Sequence, residues 1–93
     1  MSFDITNYYE TLVIAEIKRY AAEHLAESHN HNHDLLEDAA CIALNQLPVH
    51  YIRYQVDASF FRSTTERARM QTEVDQAVRK AFDYLLTKDS HRD

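Results

Sequence analysis

The chain has 93 residues, of which 45% are hydrophobic and 27% charged, and this composition is typical of one soluble globular domain spanning residues 1–93. It contains no glycine, which excludes a Walker P-loop, a G-x-G-x-x-G dinucleotide turn, a G-x-S-x-G nucleophile elbow and an EF-hand loop. The net charge of -5 argues against nucleic-acid binding, and a single cysteine excludes an internal disulfide. The sequence shows no leader-like segment and no membrane-spanning run, so we expect a cytoplasmic protein that does not bind membranes.

The first predicted element is an amphipathic helix from Asp4 to about Glu27, because apolar residues recur at intervals of three and four. Asp4 and Thr6 are its candidate N-caps. Residues 28–33 read Ser-His-Asn-His-Asn-His and contain no apolar side chain, so we predict a loop.

A second helix is predicted from about Asp34, and Pro48 ends it. Cys41 lies inside this helix and is expected to be a small buried residue. The predicted apolar face consists of Leu36, Ala39, Ala40, Ala43, Leu44 and Leu47.

Residues 50–56 predict a strand, because β-branched and aromatic residues alternate there. One side of this strand carries Ile52, Tyr54 and Val56, and the other side carries Tyr51, Arg53 and Gln55. We find no second convincing strand, so we expect this one to pair with its copy across the two-fold axis of a homodimer.

Residues 57–61 are interpreted as a short connection, and Ser63 to Glu66 fits a capping box that opens a third long helix. Residues 1–3 and 88–93 are expected to fray. The predicted fold class is therefore mainly α, a small three-to-four-helix domain with one short strand. The apolar stripe of the third helix is Met70, Val74, Ala77, Val78, Ala81, Phe82 and Leu85.

The densest group of potential metal ligands is His24, His29, His31 and His33. Alternating His and Asn in one loop lacks the second ligand-bearing element that structural zinc sites recruit, so a solvated loop is favoured and metal binding is the alternative. No matched set of nucleophile, base and orienting group can be selected from the sequence, so we predict neither enzyme activity nor catalytic residues.

Charge is distributed unevenly along the chain, with a net of -6 over residues 1–49 and +1 over residues 50–93. If an anionic ligand binds, arginines of the second half are its candidate contacts, because the guanidinium fork matches phosphate geometry. The alternative is that these arginines are solvated helix-face charges. They are Arg53, Arg62, Arg67 and Arg69.

The segment 38–53 resembles the signature of the ComFB (late competence development) family, with its Asp, its Ala-Leu-Asn-x-Leu-Pro core and its Tyr-Ile strand. Residues 8–13 are similar to the family's N-terminal helix, and residues 56–60 to its connection. Residues 66–70 resemble the start of the last helix in proteobacterial-type members. Two departures are His29 to Leu35, where Bacillus-type and cyanobacterial members have a zinc-associated Cys-rich segment, and Val49, which replaces a second proline.

The resemblance implies a small helical domain that dimerises and, in members studied as receptors, binds cyclic di-GMP or related cyclic dinucleotides. We therefore expect a homodimeric receptor without metal or other cofactor, which passes its signal to an unidentified downstream protein. A helical protein-interaction module without a small ligand and a His-loop metal-binding protein are the alternatives. Arginines, stacking aromatics and a carboxylate for the guanine edge suit such a ligand. The candidate ligand-binding residues are Arg53, Tyr51, Tyr54, Asp57, Arg62 and Arg67.

Overall fold

The computed structural model describes residues 5–53 and 63–90 and confirms a mainly α domain. No helix within these two ranges is long and apolar enough to span a bilayer. The predicted connection over residues 57–61 lies outside the described residues, and the predicted fraying of both ends stays a prediction. The elements are β1 (Ile5–Asn7), α1 (Tyr8–His24), α2 (Glu27–Asn30), α3 (His33–Gln46), β2 (Tyr51–Arg53) and α4 (Thr64–Ser90).

The three long helices α1, α3 and α4 pack on one another around a shared hydrophobic core. The rings of Tyr20 and Phe82 stack with their centroids 4.9 Å apart and join α1 to α4. Alanines on α3 and α4 leave little side-chain bulk between these two helices, which favours close packing. The predicted stripe of α4 is confirmed, with Leu85 partly buried and the others buried. The fully buried alanines are Ala39, Ala43 and Ala81.

Helix α3 is rotated relative to the predicted face. Its buried residues are Leu35, Ala39 and Ala43. The other residues of the predicted face are only partly buried, namely Leu36, Ala40, Leu44 and Leu47. The prediction that Cys41 is buried was wrong, because Cys41 is exposed. Two residues beyond Ala39 correspond to about 200° around a helix, so this position points away from the core.

The segment predicted as a loop over residues 28–33 contains more helix than expected. Residues 27–30 form the single turn α2, and α3 begins at His33. Asn32 caps α3, because its Oδ1 accepts a hydrogen bond from the Leu35 N–H at 3.1 Å.

The N-terminal segment differs most from the prediction. α1 begins at Tyr8 rather than Asp4, because residues 5–7 form a strand. β1 pairs with β2 antiparallel, in a register that sets Ile5 opposite Arg53 and Asn7 opposite Tyr51. The expectation of one strand without a partner in the chain was therefore wrong, and pairing across a two-fold axis is left as a prediction.

Asn7 connects this two-stranded ribbon to α1, and it, not Thr6, is the N-cap. Its buried side-chain carbonyl accepts the Tyr9 N–H at 3.3 Å and the His50 N–H at 2.8 Å. The Tyr8 N–H donates to the His50 carbonyl at 2.7 Å. One side chain thus satisfies backbone donors from the first turn of α1 and from the residue before β2.

Helices α1 and α3 end without the left-handed residue that glycine usually provides. The C-cap Leu25 has φ -100° and ψ 146°, and the C-cap Leu47 has φ -103° and ψ 151°. Both are extended conformations that any residue adopts, and Pro48 imposes this one on Leu47. Neither of these helix ends therefore requires a glycine.

We predict that Asn7→Ala lowers the free energy of unfolding by about 2 to 3 kcal/mol, measured by urea denaturation followed by circular dichroism. The loss of a cap costs about 1 kcal/mol. The half-buried N–H of His50 also loses its acceptor, and this cost lies in the lower part of the roughly 1 to 3 kcal/mol typical of buried donors. The control Asn32→Ala removes an exposed cap with one bond and should cost only about 1 kcal/mol. Equal losses for the two variants would contradict the double role of Asn7.

Candidate functional site

The outward face of β2 carries two of the predicted ligand-binding residues. Tyr51 is 66% exposed and Arg53 is exposed, whereas Ile52 between them is only 9% exposed. The alternation predicted for this strand is confirmed over these three residues. Since side chains two residues apart lie on one face of a strand, Tyr51 and Arg53 present an aromatic ring and a cation on the same side.

Arg67 lies in the first turn of α4, near the positive end of the helix dipole. One of the two hydrogen bonds of the predicted capping box is confirmed, because the Glu66 N–H donates to Ser63 Oγ at 3.0 Å. Arg67 is exposed and forms no ion pair with another residue of the described ranges. It is therefore accessible to an anion.

The described residues do not bring the whole predicted site together. Outside the sheet, the main contacts of the ribbon are those of β1 with α1, so Arg53 and Arg67 lie on elements that make no extensive contact with each other. Tyr54, Asp57 and Arg62 lie outside the described residues.

A polar network that the sequence did not reveal links α1 to α4. The hydroxyl of Tyr9 donates to Glu73 Oε1 at 2.8 Å, and Arg69 Nη1 donates to the same oxygen at 2.9 Å. Arg69, one of the candidate anion contacts, is thus paired with a carboxylate. The Tyr9 side chain is buried, and this burial, followed by the bond to Glu73 and its charge, raises the pKa of the phenol.

A second unpredicted pair lies on α1, where Glu16 is buried despite its charge. Arg19 Nε donates to Glu16 Oε1 at 2.7 Å and its Nη2 donates to Oε2, while its Nη1 reaches Glu23 at 3.0 Å. Hydrogen bonds to Glu16 and then to Glu23 raise the pKa of Arg19. A buried carboxylate with both oxygens bound to a guanidinium is neutralised in place, so we assign the pair to the scaffold.

The four histidines considered as metal ligands are all exposed. His24 packs its ring against Tyr20, and His33 Nε2 lies 3.7 Å from a carboxylate oxygen of Glu37. Within the described ranges, no three or more His, Cys, Asp or Glu side chains are grouped so that they could hold a metal ion.

The segment that carries the signature resemblance forms a continuous structural unit. Residues 38–53 comprise most of α3, its extended exit through Leu47 and Pro48, and the whole of β2. The signature residues therefore form most of a packed helix, the extended segment that follows it and an outward-facing strand.

The fold and this unit define a small helical domain with an appended β ribbon. The chain belongs to the ComFB family, because the profile described as late competence development protein ComFB matches residues 6–88. Neither the curated proteins nor the solved structures contain a significant match to the chain.

We predict that Tyr9→Phe reduces the alkaline loss of stability, measured as the free energy of unfolding in urea between about pH 8 and pH 12. The raised pKa of Tyr9 means that its contribution is complete below the ordinary tyrosine pKa of about 10 and is lost as the pH rises through the higher folded value. The parent should therefore lose its advantage over Tyr9→Phe above about pH 10.

The matched control is Tyr84→Phe, a change at a tyrosine that is 56% exposed. Tyr84→Phe should lose as much free energy of unfolding at alkaline pH as the parent does. A constant difference in stability between the parent and Tyr9→Phe across this pH range would contradict the prediction.

Proposed function

We propose that this ComFB family protein is a cytoplasmic receptor for cyclic di-GMP or a related cyclic dinucleotide. It acts as a homodimer and passes the binding signal to a downstream protein. Membership of the family supports this proposal, because the resemblance to the family implies binding of cyclic di-GMP or a related cyclic dinucleotide. The observation that carries it is the exposure of Tyr51 and Arg53 on one face of β2.

The chemistry of this face suits the ligand. A cyclic dinucleotide carries two phosphates and two flat purines, so it requires cations and stacking surfaces. Arg53 supplies a guanidinium for a phosphate or a purine face, and the ring of Tyr51 supplies a stacking surface. Arg67 adds an accessible cation in the first turn of α4. The predicted contacts Tyr54, Asp57 and Arg62 complete the proposed site.

Binding is proposed to be independent of metal and of any other cofactor. The zinc-associated Cys-rich segment of Bacillus-type and cyanobacterial members is replaced in this chain by residues 29–35, which contain no cysteine. In residues 66–70 the chain is similar to proteobacterial-type members. We expect no catalytic activity, because the proposed role requires binding alone.

A homodimer is supported by the apolar side chains around the ribbon. Ile5 is 57% exposed, Val49 is 64% exposed and Tyr51 is 66% exposed. Exposed apolar side chains in and next to one ribbon are a feature of interaction surfaces. A cyclic dinucleotide has two-fold symmetry, which matches the symmetry of a dimer.

We predict that Arg53→Ala weakens the binding of cyclic di-GMP about 10- to 100-fold in calorimetric titrations. A hydrogen bond to a charged group contributes roughly 1.5 to 3 kcal/mol, and each 1.4 kcal/mol corresponds to about a factor of ten in affinity. The control Arg79→Ala removes the same charge from an exposed position on α4 and should bind like the parent. Equal binding by Arg53→Ala and the parent would remove Arg53 from the proposed site. No heat from the parent would reject the receptor proposal in favour of an interaction module.

We predict that the parent is a dimer at micromolar concentrations in multi-angle light scattering and that Ile5→Lys is a monomer. A lysine at this apolar, exposed position places a like charge on both copies of a two-fold interface. Ile14→Lys introduces the same charge at an isoleucine of α1 that is 48% exposed and should leave the dimer intact. A monomeric parent would refute the dimer.

A further inference from the structure

A shallow depression of about 170 Å³ lies where the C-terminal end of α3 meets the middle of α4. Most small-molecule sites occupy about 300 to 1,000 Å³, so this depression is too small for a whole dinucleotide and suits a single flat ring. Its lining is mostly polar. The lining residues are Gln46, Leu47, Pro48, Glu73, Gln76, Ala77 and Lys80.

Glu73 gives the depression a carboxylate that is held in position. Tyr9 and Arg69 both donate to Oε1, from α1 and from the preceding turn of α4. Oε2 has no hydrogen bond to a residue of the described ranges and can accept one from a ligand. Since two donors already orient the carboxylate, a ligand would lose little affinity to ordering this side chain.

Donors stand beside this acceptor on the same side of α4. Gln76 and Lys80 follow Glu73 by three and seven residues, a spacing that places them on one helix face. Gln46 adds an amide from α3. Neither Gln76 nor Lys80 forms a hydrogen bond or ion pair with a residue in the described part of the chain. The depression therefore presents one oriented acceptor next to several uncommitted donors.

We propose that this depression binds the base edge of a guanine, an inference that rests on the proposed receptor function. The Watson–Crick edge of guanine has two adjacent N–H donors, at N1 and N2, next to the acceptor O6. Oε2 of Glu73 accepts from the donors, and Lys80 or Gln76 donates to O6. Adenine presents an unprotonated N1 in the same place, which meets the carboxylate with a lone pair instead of a proton.

The depression is close enough to the ribbon for one ligand to reach both. Pro48 precedes Tyr51 by three residues, a span of about 10 Å even when the chain is fully extended. One guanine of a cyclic dinucleotide occupies the depression while a phosphate or the second base contacts β2. Glu73 then determines the preference for guanine, and Arg53 contributes affinity for the phosphate.

The test is a set of calorimetric titrations of the full chain with cyclic di-GMP and cyclic di-AMP. The parent should bind cyclic di-GMP at least tenfold more tightly than cyclic di-AMP. Glu73→Gln keeps an oxygen acceptor for Tyr9 but removes the charge, and it should weaken cyclic di-GMP binding at least tenfold while reducing the difference between the two ligands. Asp75→Asn, which removes the same charge two residues away on α4, should retain both the affinity and the preference.

The outcomes separate this inference from the receptor proposal. If the parent binds neither ligand, both fall. If the parent binds cyclic di-GMP and Glu73→Gln binds it equally well, the guanine assignment is wrong and the receptor proposal stands. Circular dichroism establishes that the variants are folded. The double variant Gln76→Ala/Lys80→Ala changes two exposed side chains and removes both candidate donors to O6. If Glu73→Gln fails to fold, unchanged cyclic di-GMP affinity of this double variant counts against the assignment.

Discussion

The position of the ribbon depends on one side-chain carbonyl. Asn7 accepts backbone N–H groups from Tyr9 and His50, so it begins α1 and holds the approach to β2 at the same point. Strands of three residues have few ladder hydrogen bonds and little apolar area of their own. Together with the bond from the Tyr8 N–H to the His50 carbonyl, this attachment fixes the orientation of the face that displays Tyr51 and Arg53 relative to the helices. Asn7 therefore couples the scaffold to the candidate site.

The helices could be predicted from the sequence, but the ribbon could not. The stripe on α4 repeats over several turns, which makes its period visible, and the outward position of Arg53 follows from simple alternation. β1 has three residues, too few to display a period of two, and its partner lies more than forty residues away. The apolar composition of α3 indicated a helix, but its many alanines left the buried face uncertain by one position, and Cys41 was misplaced for this reason.

Glu73 could not have been recognised from the sequence. Its spacing from Arg69 is that of an ordinary ion pair on a helix surface, which contributes little and indicates no site. Its second contact, to Tyr9, joins positions 64 residues apart and depends on how α1 packs against α4. The chemistry of a side chain in a bundle is determined by the neighbouring helix as much as by its own. Sequence patterns within one helix carry no information about that neighbour.

The glycine-free helix ends have a thermodynamic consequence for the unfolded chain. A protein of this length with average composition contains about six glycines, each of which typically lowers stability by roughly 0.4 to 1 kcal/mol relative to alanine where the native backbone permits either residue. Glycine has this effect because it samples more backbone conformations before folding than any other residue. Because α1 and α3 end in the extended residues Leu25 and Leu47, neither end needs a glycine, and the absence of glycine restricts the denatured ensemble. Folding of this 93-residue chain, which can bury only a modest core, is therefore opposed by a smaller loss of conformational entropy.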